Sequence, residues 1–251
     1  MKFLEEPSLA ALTAYLQNRE LGDRVLNGRI EAFSCKRAGD DKRLGRALEQ
    51  HMLSLSKSPT GVGTPPNFGL LSDSFVRRLL IDLIFTMNAS FPDYDFSGVT
   101  PDHFLKEPSV NLVMNKVNTQ LTDIGEVYKV SFLEDLWSSV DDVVALRDCE
   151  VYSYSPEEGD PFSDGCLWSF NYFFFNRDVK KILFLHCTAK SKLHMDSDDM
   201  GKDSDADDSD ADDNGGGNAM EDNSENEFLG DMDMDAPGGD DDSVDQERAG
   251  W

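Results

Sequence analysis

Asp93 and Asp95 stand two residues apart in FPDYDFSGVTPDHF, residues 91 to 104. On extended chain that spacing puts both carboxylates on one side, where paired acids could act as general acid and general base. Such chemistry also needs a neighbouring His, a set of metal ligands or a phosphate-binding loop, and none stands beside them. The alternation Asp93, Tyr94, Asp95, Phe96 predicts instead a short edge strand that buries the two aromatics and exposes the two acids. His186 beside Cys187 is the other suggestive pair, a base next to a nucleophile. Adjacent strand residues point to opposite faces and cannot share a proton, so a core or rim histidine is expected. Cys35, Cys149, Cys166 and Cys187 are scattered, without CxxC spacing or a partner His at metal spacing. They predict reduced structural thiols, with neither a zinc site nor a disulfide framework. With no glycine-rich phosphate cradle in the chain, nucleotide turnover has no support. These absences predict a protein that is not an enzyme and holds no metal and no cofactor.

The stretch WSFNYFFFNRDVKKILFL, residues 168 to 185, raises a different possibility. Aromatics at alternate strand positions could stack on nucleic-acid bases while Arg177, Lys180 and Lys181 follow the phosphates. Trp168, Phe170, Tyr172 and Phe174 share one face, however, and Leu167, Phe173 and Phe175 share the other. Apolar residues on both faces are what a strand covered on both sides needs, so the first four are expected in the core. The three bases then form a small exposed patch at the tip of a hairpin, a candidate surface for a protein partner.

Overall charge argues the same way. The 251 residues hold 49 acids against 23 bases, and 22 of those acids lie beyond residue 194, against only Lys202 and Arg248. A net negative chain with such a tail is repelled by a phosphate backbone, so no direct sequence-specific binding of nucleic acid is expected. The tail, residues 191–251, has little to bury and repels itself. It cannot offset a backbone ordering cost of roughly 1 to 2 kcal/mol per residue and is predicted to be disordered. MKFLEEPS lacks the regions of a signal peptide, and no apolar run approaches the roughly 18 residues needed to span a bilayer. A soluble intracellular protein, without a membrane partner, is the expectation.

The remaining residues suit one domain. Leu9, Leu12 and Leu16 fall at helical spacing after Pro7. RVLNGRIEAFSC then alternates, with Leu26, Ile30 and Ala32 on one face, as a half-buried strand does. Residues 37–69 are first charged, with room for a short helix, and then rich in Pro, Gly and hydroxyls, and read as a flexible insertion. Ser72 and Asp73 open a helix whose Phe75, Val76, Leu79, Leu80, Leu83, Ile84 and Met87 repeat at helical period. Two more helices are predicted over roughly 108–123 and 131–145. Three strands follow, at 149–154, 166–175 and 179–187, the last two as a hairpin. The order predicts an α+β fold: a single domain of residues 1–36 and 70–190, with a mainly antiparallel sheet, helices packed on it, and the early strand joined to the late hairpin.

IEAFSCKRAGDDK at 30–42, PDYDFS at 92–97 and CEVYSYSPEEGDPFSDGCLWSFNYFFFNRDVKKI at 149–182 resemble the three boxes of the Maf-one-type repressors of RNA polymerase III transcription. The order of the boxes, the insertion after the first and the acidic tail match as well. The resemblance implies a negative regulator that binds RNA polymerase III near its clamp and blocks its assembly with TFIIIB at transfer RNA and other short-RNA genes. It also implies control by protein kinases and phosphatases in response to nutrients and stress, and shuttling between nucleus and cytoplasm. Candidate contacts are Asp93, Tyr94, Asp95, Arg177, Lys180 and Lys181, on a chain expected to be monomeric. Ser58-Pro59 and Thr64-Pro65 suggest proline-directed phosphorylation, and Ser204, Ser209 and Ser224 lie among the tail acids. Taken alone, the tail favours another class, a nuclear chaperone for histones or other basic proteins.

Overall fold

The structure is a computed structural model and describes residues 1–37, 39–56, 68–155, 162 and 165–192. In chain order its strands and helices are β1 (Lys2–Leu4), α1 (Pro7–Leu16), β2 (Arg19–Leu21), β3 (Arg24–Ser34), α2 (Asp40–Ser56), α3 (Ser74–Ser90), β4 (Phe104–Lys106), α4 (Val110–Val127), α5 (Phe132–Val144), β5 (Glu150–Tyr154), β6 (Cys166–Asn176) and β7 (Lys181–Ser191). One antiparallel sheet runs in the order β1, β3, β7, β6, β5, β4, with β2 also paired to β3. The early strand therefore joins the late hairpin, Ile30 lying opposite Leu185 and Ala32 opposite Leu183.

Two cores explain why the central strands are apolar on both faces. On one face Leu26, Ile30 and Ala32 of β3, with Phe174, Leu183 and Leu185, meet α1, α4 and α5. On the other, Phe33, Phe173, Phe175, Ile182 and Phe184 meet α2 and α3. Side chains alternate along each strand, so one hairpin supplies both cores. No described helix is long and apolar enough to cross a membrane.

Local signals set the helix ends. Asp73, not Ser72, caps α3: its side chain accepts from the Phe75 N–H at 2.8 Å, the usual stabilising role of an N-cap carboxylate. Ser109 caps α4 by accepting from Leu112 N–H at 3.2 Å. Pro7 sits in the first turn of α1, where its missing N–H costs nothing.

Several expectations are corrected. The charged part of the stretch read as flexible chain, residues 40–56, is helical: α2 buries Leu48 and Met52 against α3. Those two residues are spaced four apart on one helical face, a stripe too narrow to stand out among so many charges. Short strands β1, β2 and β4 were not foreseen, because three residues carry no readable period. PDYDFS is no edge strand but a pair of turns, since Pro92 cannot donate to a ladder and the Asp and Ser side chains favour turns.

A candidate protein-docking surface

The chain leaving α3 is tied down at nearly every residue. Phe91 N–H donates to Met87 O at 2.8 Å and Tyr94 N–H to Phe91 O at 3.1 Å. Asn88 Oδ1 accepts from Phe96 N–H at 2.8 Å, and Asp95 Oδ1 from Ser97 N–H at 2.9 Å. Phe96 points inward, stacked on Phe162 with centroids 5.9 Å apart. Its edge contacts are Phe91 at 6.4 Å and Tyr154 at 6.4 Å.

Beneath this loop three separate stretches of sequence meet. From β3 the Arg29 guanidinium lies 4.5 Å above the Phe91 ring and donates to Ser90 O. From β7 the His186 ring lies 5.3 Å from Phe91 and 5.0 Å from Phe162. His186 Nδ1 is 2.7 Å from Asn171 Oδ1 on the neighbouring strand, and burial pushes its pKa down to about 3, helped by the nearby Arg29 charge. His186 is thus a neutral structural group at neutral pH. Cys187 faces the opposite core, so the two cannot cooperate.

What this scaffold presents is acidic and aromatic. Asp93 and Asp95 are exposed, and Tyr94 is 47 % exposed with its ring 6.3 Å from Phe96. The expectation that both aromatics are buried therefore holds for Phe96 and fails for Tyr94, because the turn breaks the two-residue alternation. Hydrogen bonds from Ser97 hold the Asp95 carboxyl below its usual range, so it is ionised at neutral pH. The arrangement can offer hydrogen-bond acceptors, negative charge and one amphipathic ring to a partner.

The hairpin bases do not form one patch. The Arg177 guanidinium lies 4.5 Å from the Phe75 ring on the α3 side, whereas Lys181 Nζ donates to Val143 O at 3.2 Å on the α5 side. Lys180 is exposed, with φ of 55°. The turn is organised by buried Asn176, whose Oδ1 accepts from Asp178 N–H at 2.9 Å while its Nδ2 donates to Val144 O at 2.7 Å. Of the four aromatics expected in the core, Phe170, Tyr172 and Phe174 are buried. Trp168 is half-buried at the rim, stacked on Phe170 at 5.9 Å. A bulge between Cys166 and Trp168 leaves Leu167 exposed.

Other chemistry finds no support among the described residues. No group of three or more His, Cys, Asp or Glu is placed to hold a metal ion. Burial raises the Cys35 and Cys149 thiols to about 12 and raises Cys187 as well, the opposite of an activated nucleophile. Ser58, Thr64, Ser204, Ser209 and Ser224 lie outside the described residues. Reading the sequence singled out Asp93, Tyr94 and Asp95 but missed Arg29, Phe91 and Phe162 as their support. The aromatics before Pro92 and after Pro161 were the available signal.

The chain is similar to several known proteins. The family model described as "Maf1 regulator" matches residues 26–186. A protein of Dictyostelium discoideum named "Repressor of RNA polymerase III transcription" is 36% identical over 245 residues, covering 79% of this chain and 88% of that protein. One of Schizosaccharomyces pombe named "Repressor of RNA polymerase III transcription maf1" is 36% identical, covering 82% and 90%. A crystal structure of citrus MAF1 superposes with a TM-score of 0.60 at 33% identity, over 74% of this chain and 99% of that one.

Proposed function

The chain belongs to the Maf1 regulator family, and from that premise we propose that it represses RNA polymerase III transcription by binding the polymerase near its clamp and blocking its assembly with TFIIIB. The observation that carries this reading is the fixed, outward-facing Tyr94 between two exposed acids, held by Phe96 in the aromatic cluster. Repression by contact needs a rigid surface and no chemistry, and preorganised contacts avoid part of the ordering cost of association. Amphipathic aromatic side chains are the usual anchors of such surfaces.

In this reading Arg177, Lys180 and Lys181 are secondary contacts on two faces of the hairpin. The protein acts as a monomer, moves between nucleus and cytoplasm, and is controlled by kinases and phosphatases. Phosphate at Ser58 or Thr64 adds about −1.5 to −2 charge each and weakens docking onto the polymerase; Ser204, Ser209 and Ser224 are further candidate sites.

The test uses the purified full chain with RNA polymerase III and a transfer RNA gene transcribed in vitro. The wild type should bind the polymerase and repress, and Asp93→Lys with Tyr94→Ala should lose both while remaining folded. Failure of the wild type to bind or repress would sink the reading, and recovery of histones alone from extract would favour the chaperone class.

A further inference from the structure

A pocket of about 280 Å3 opens beside Phe91, where β3 and β7 run together. α2 and α3 cover this face of the sheet around Phe33 and Phe184, and α3 ends at Ser90. Beyond Phe91 the same face turns polar. Arg29 lies opposite His186 and Asn27 opposite Thr188, with Val25 and Lys190 paired at the far end. Strand alternation puts all six on one side.

Two bases line this pocket, Arg29 and Lys190, and no acid among the described residues does. Neither base forms an ion pair among those residues. The Arg29 guanidinium is held 4.5 Å above the Phe91 ring, and of its donors only Nη1 has a protein partner, Ser90 O. Its Nε and Nη2 are left for a ligand. Glu31, the next residue along this face of β3, lies beside Ser90 and feels the Arg29 charge, but it is outside the lining. His186 is neutral at physiological pH, because burial pushes its pKa down to about 3. The chain as a whole holds 49 acids against 23 bases, yet exposed charges more than about 8 Å apart are largely screened at physiological ionic strength. The lining therefore decides which ligand fits.

We propose that this pocket binds a small organic phosphate, its phosphate held by Arg29 and Lys190 and its apolar part resting against Phe91 and Val25. A phosphate monoester carries about −1.5 to −2 charge at pH 7 and three strong acceptor oxygens, and a guanidinium fork matches two such oxygens at once. Asn27, exposed between the two bases, can donate to the third. The apolar part of the ligand leaves water on meeting Phe91 and Val25. A nucleic-acid backbone is held by a row of cations, which two bases do not make. Binding here requires no polymerase, so the proposal stands whether or not the chain represses transcription.

The isotope-labelled full chain is titrated, by NMR at neutral pH and physiological ionic strength, with phenyl phosphate, inorganic phosphate and phenol. Phenyl phosphate should shift the amides of Val25, Asn27, Thr188 and Lys190, and should bind at least tenfold more tightly than either of the other two. Asn27→Asp and Lys190→Glu should each weaken that binding at least tenfold with the melting temperature unchanged. Lys36→Glu makes the same change of charge as Lys190→Glu at an exposed position beyond the other end of β3, and should leave the affinity as it is. Pocket amides that ignore phenyl phosphate, or an equal affinity for inorganic phosphate or for phenol, would overturn the proposal. So would full binding in Asn27→Asp and Lys190→Glu, or a loss in Lys36→Glu as large as theirs.

Discussion

Phe96 stacks on Phe162 with ring planes 12° from parallel, joining the PDYDFS loop to the segment that precedes β6. The contact separates two jobs within six residues: Phe96 holds the loop, and Tyr94 faces outward. Phe96→Ala should cost about 3–5 kcal/mol, as truncating a core aromatic does. Tyr94→Ala should stay within about 0.5 kcal/mol of wild type yet weaken association with RNA polymerase III. Urea unfolding and a binding titration on both variants decide the division. Equal destabilisation by the two would make Tyr94 a structural residue.

At the hairpin, charge reversal should not be free. Arg177→Glu loses its contact with the Phe75 ring, worth about 0.5–1 kcal/mol at an exposed site. Lys181→Glu places an acid at the C-terminal end of α5, unfavourable by about 0.3–1 kcal/mol. Because the two side chains lie on different faces, their effects on stability should add. A measured coupling well above about 0.5 kcal/mol between them would show that they act as one patch after all.

His186 predicts an acid sensitivity. Its folded pKa is pushed down to about 3 by burial, against roughly 6.5 in the unfolded chain. Between those values the unfolded state binds the extra proton, so stability is full above about pH 6.5 and falls on acidification, by up to about 1.4 kcal/mol per pH unit. Glu31 and Asp82, both raised by burial, act in the opposite sense in the acid range, where their folded forms retain protons. The clean measurement is therefore the difference between wild type and His186→Gln in urea midpoints at pH 5, 6 and 7. Parallel curves for the two would exclude His186 as the source.

Gly28 lies where α1 crosses β3. A Cβ there would stand 2.8 Å from His186 O and 3.2 Å from Leu16 Cβ, and neither backbone nor the start of a buried side chain can yield cheaply. Gly28→Ala should destabilise by about 1–3 kcal/mol through overpacking, read as a lower thermal midpoint. A neutral result would mean that α1 can lift from the sheet.

Much of the fold was legible because local patterns repeat. The stripe from Val76 to Met87 and the two-sided run from Phe170 to Phe175 each state an element and its burial within a few residues, since helical and strand periods act on neighbours in sequence. The charged stretch left room for a short helix, but the length of α2 and its packing were missed because its buried Leu48 and Met52 are too few to outweigh its charges, and its partner α3 lies beyond the Pro- and Gly-rich stretch. Asp93, Tyr94 and Asp95 could be chosen from residue types and the box pattern, and the exposure of the two acids with them, but not the exposure of Tyr94, which follows from a turn and from Phe96 finding Phe162. The three hairpin bases looked like one patch in the chain. Only the packing of α3 on one face of the sheet and α5 on the other drew Arg177 and Lys181 apart. Sequence by itself determined which residues could be buried and which could carry charge, because these depend on the side chain. Which distant groups they meet depends on the path of the whole chain, and Arg29, Phe91, Phe162 and His186 come together only when β3, α3 and β7 have closed around one core.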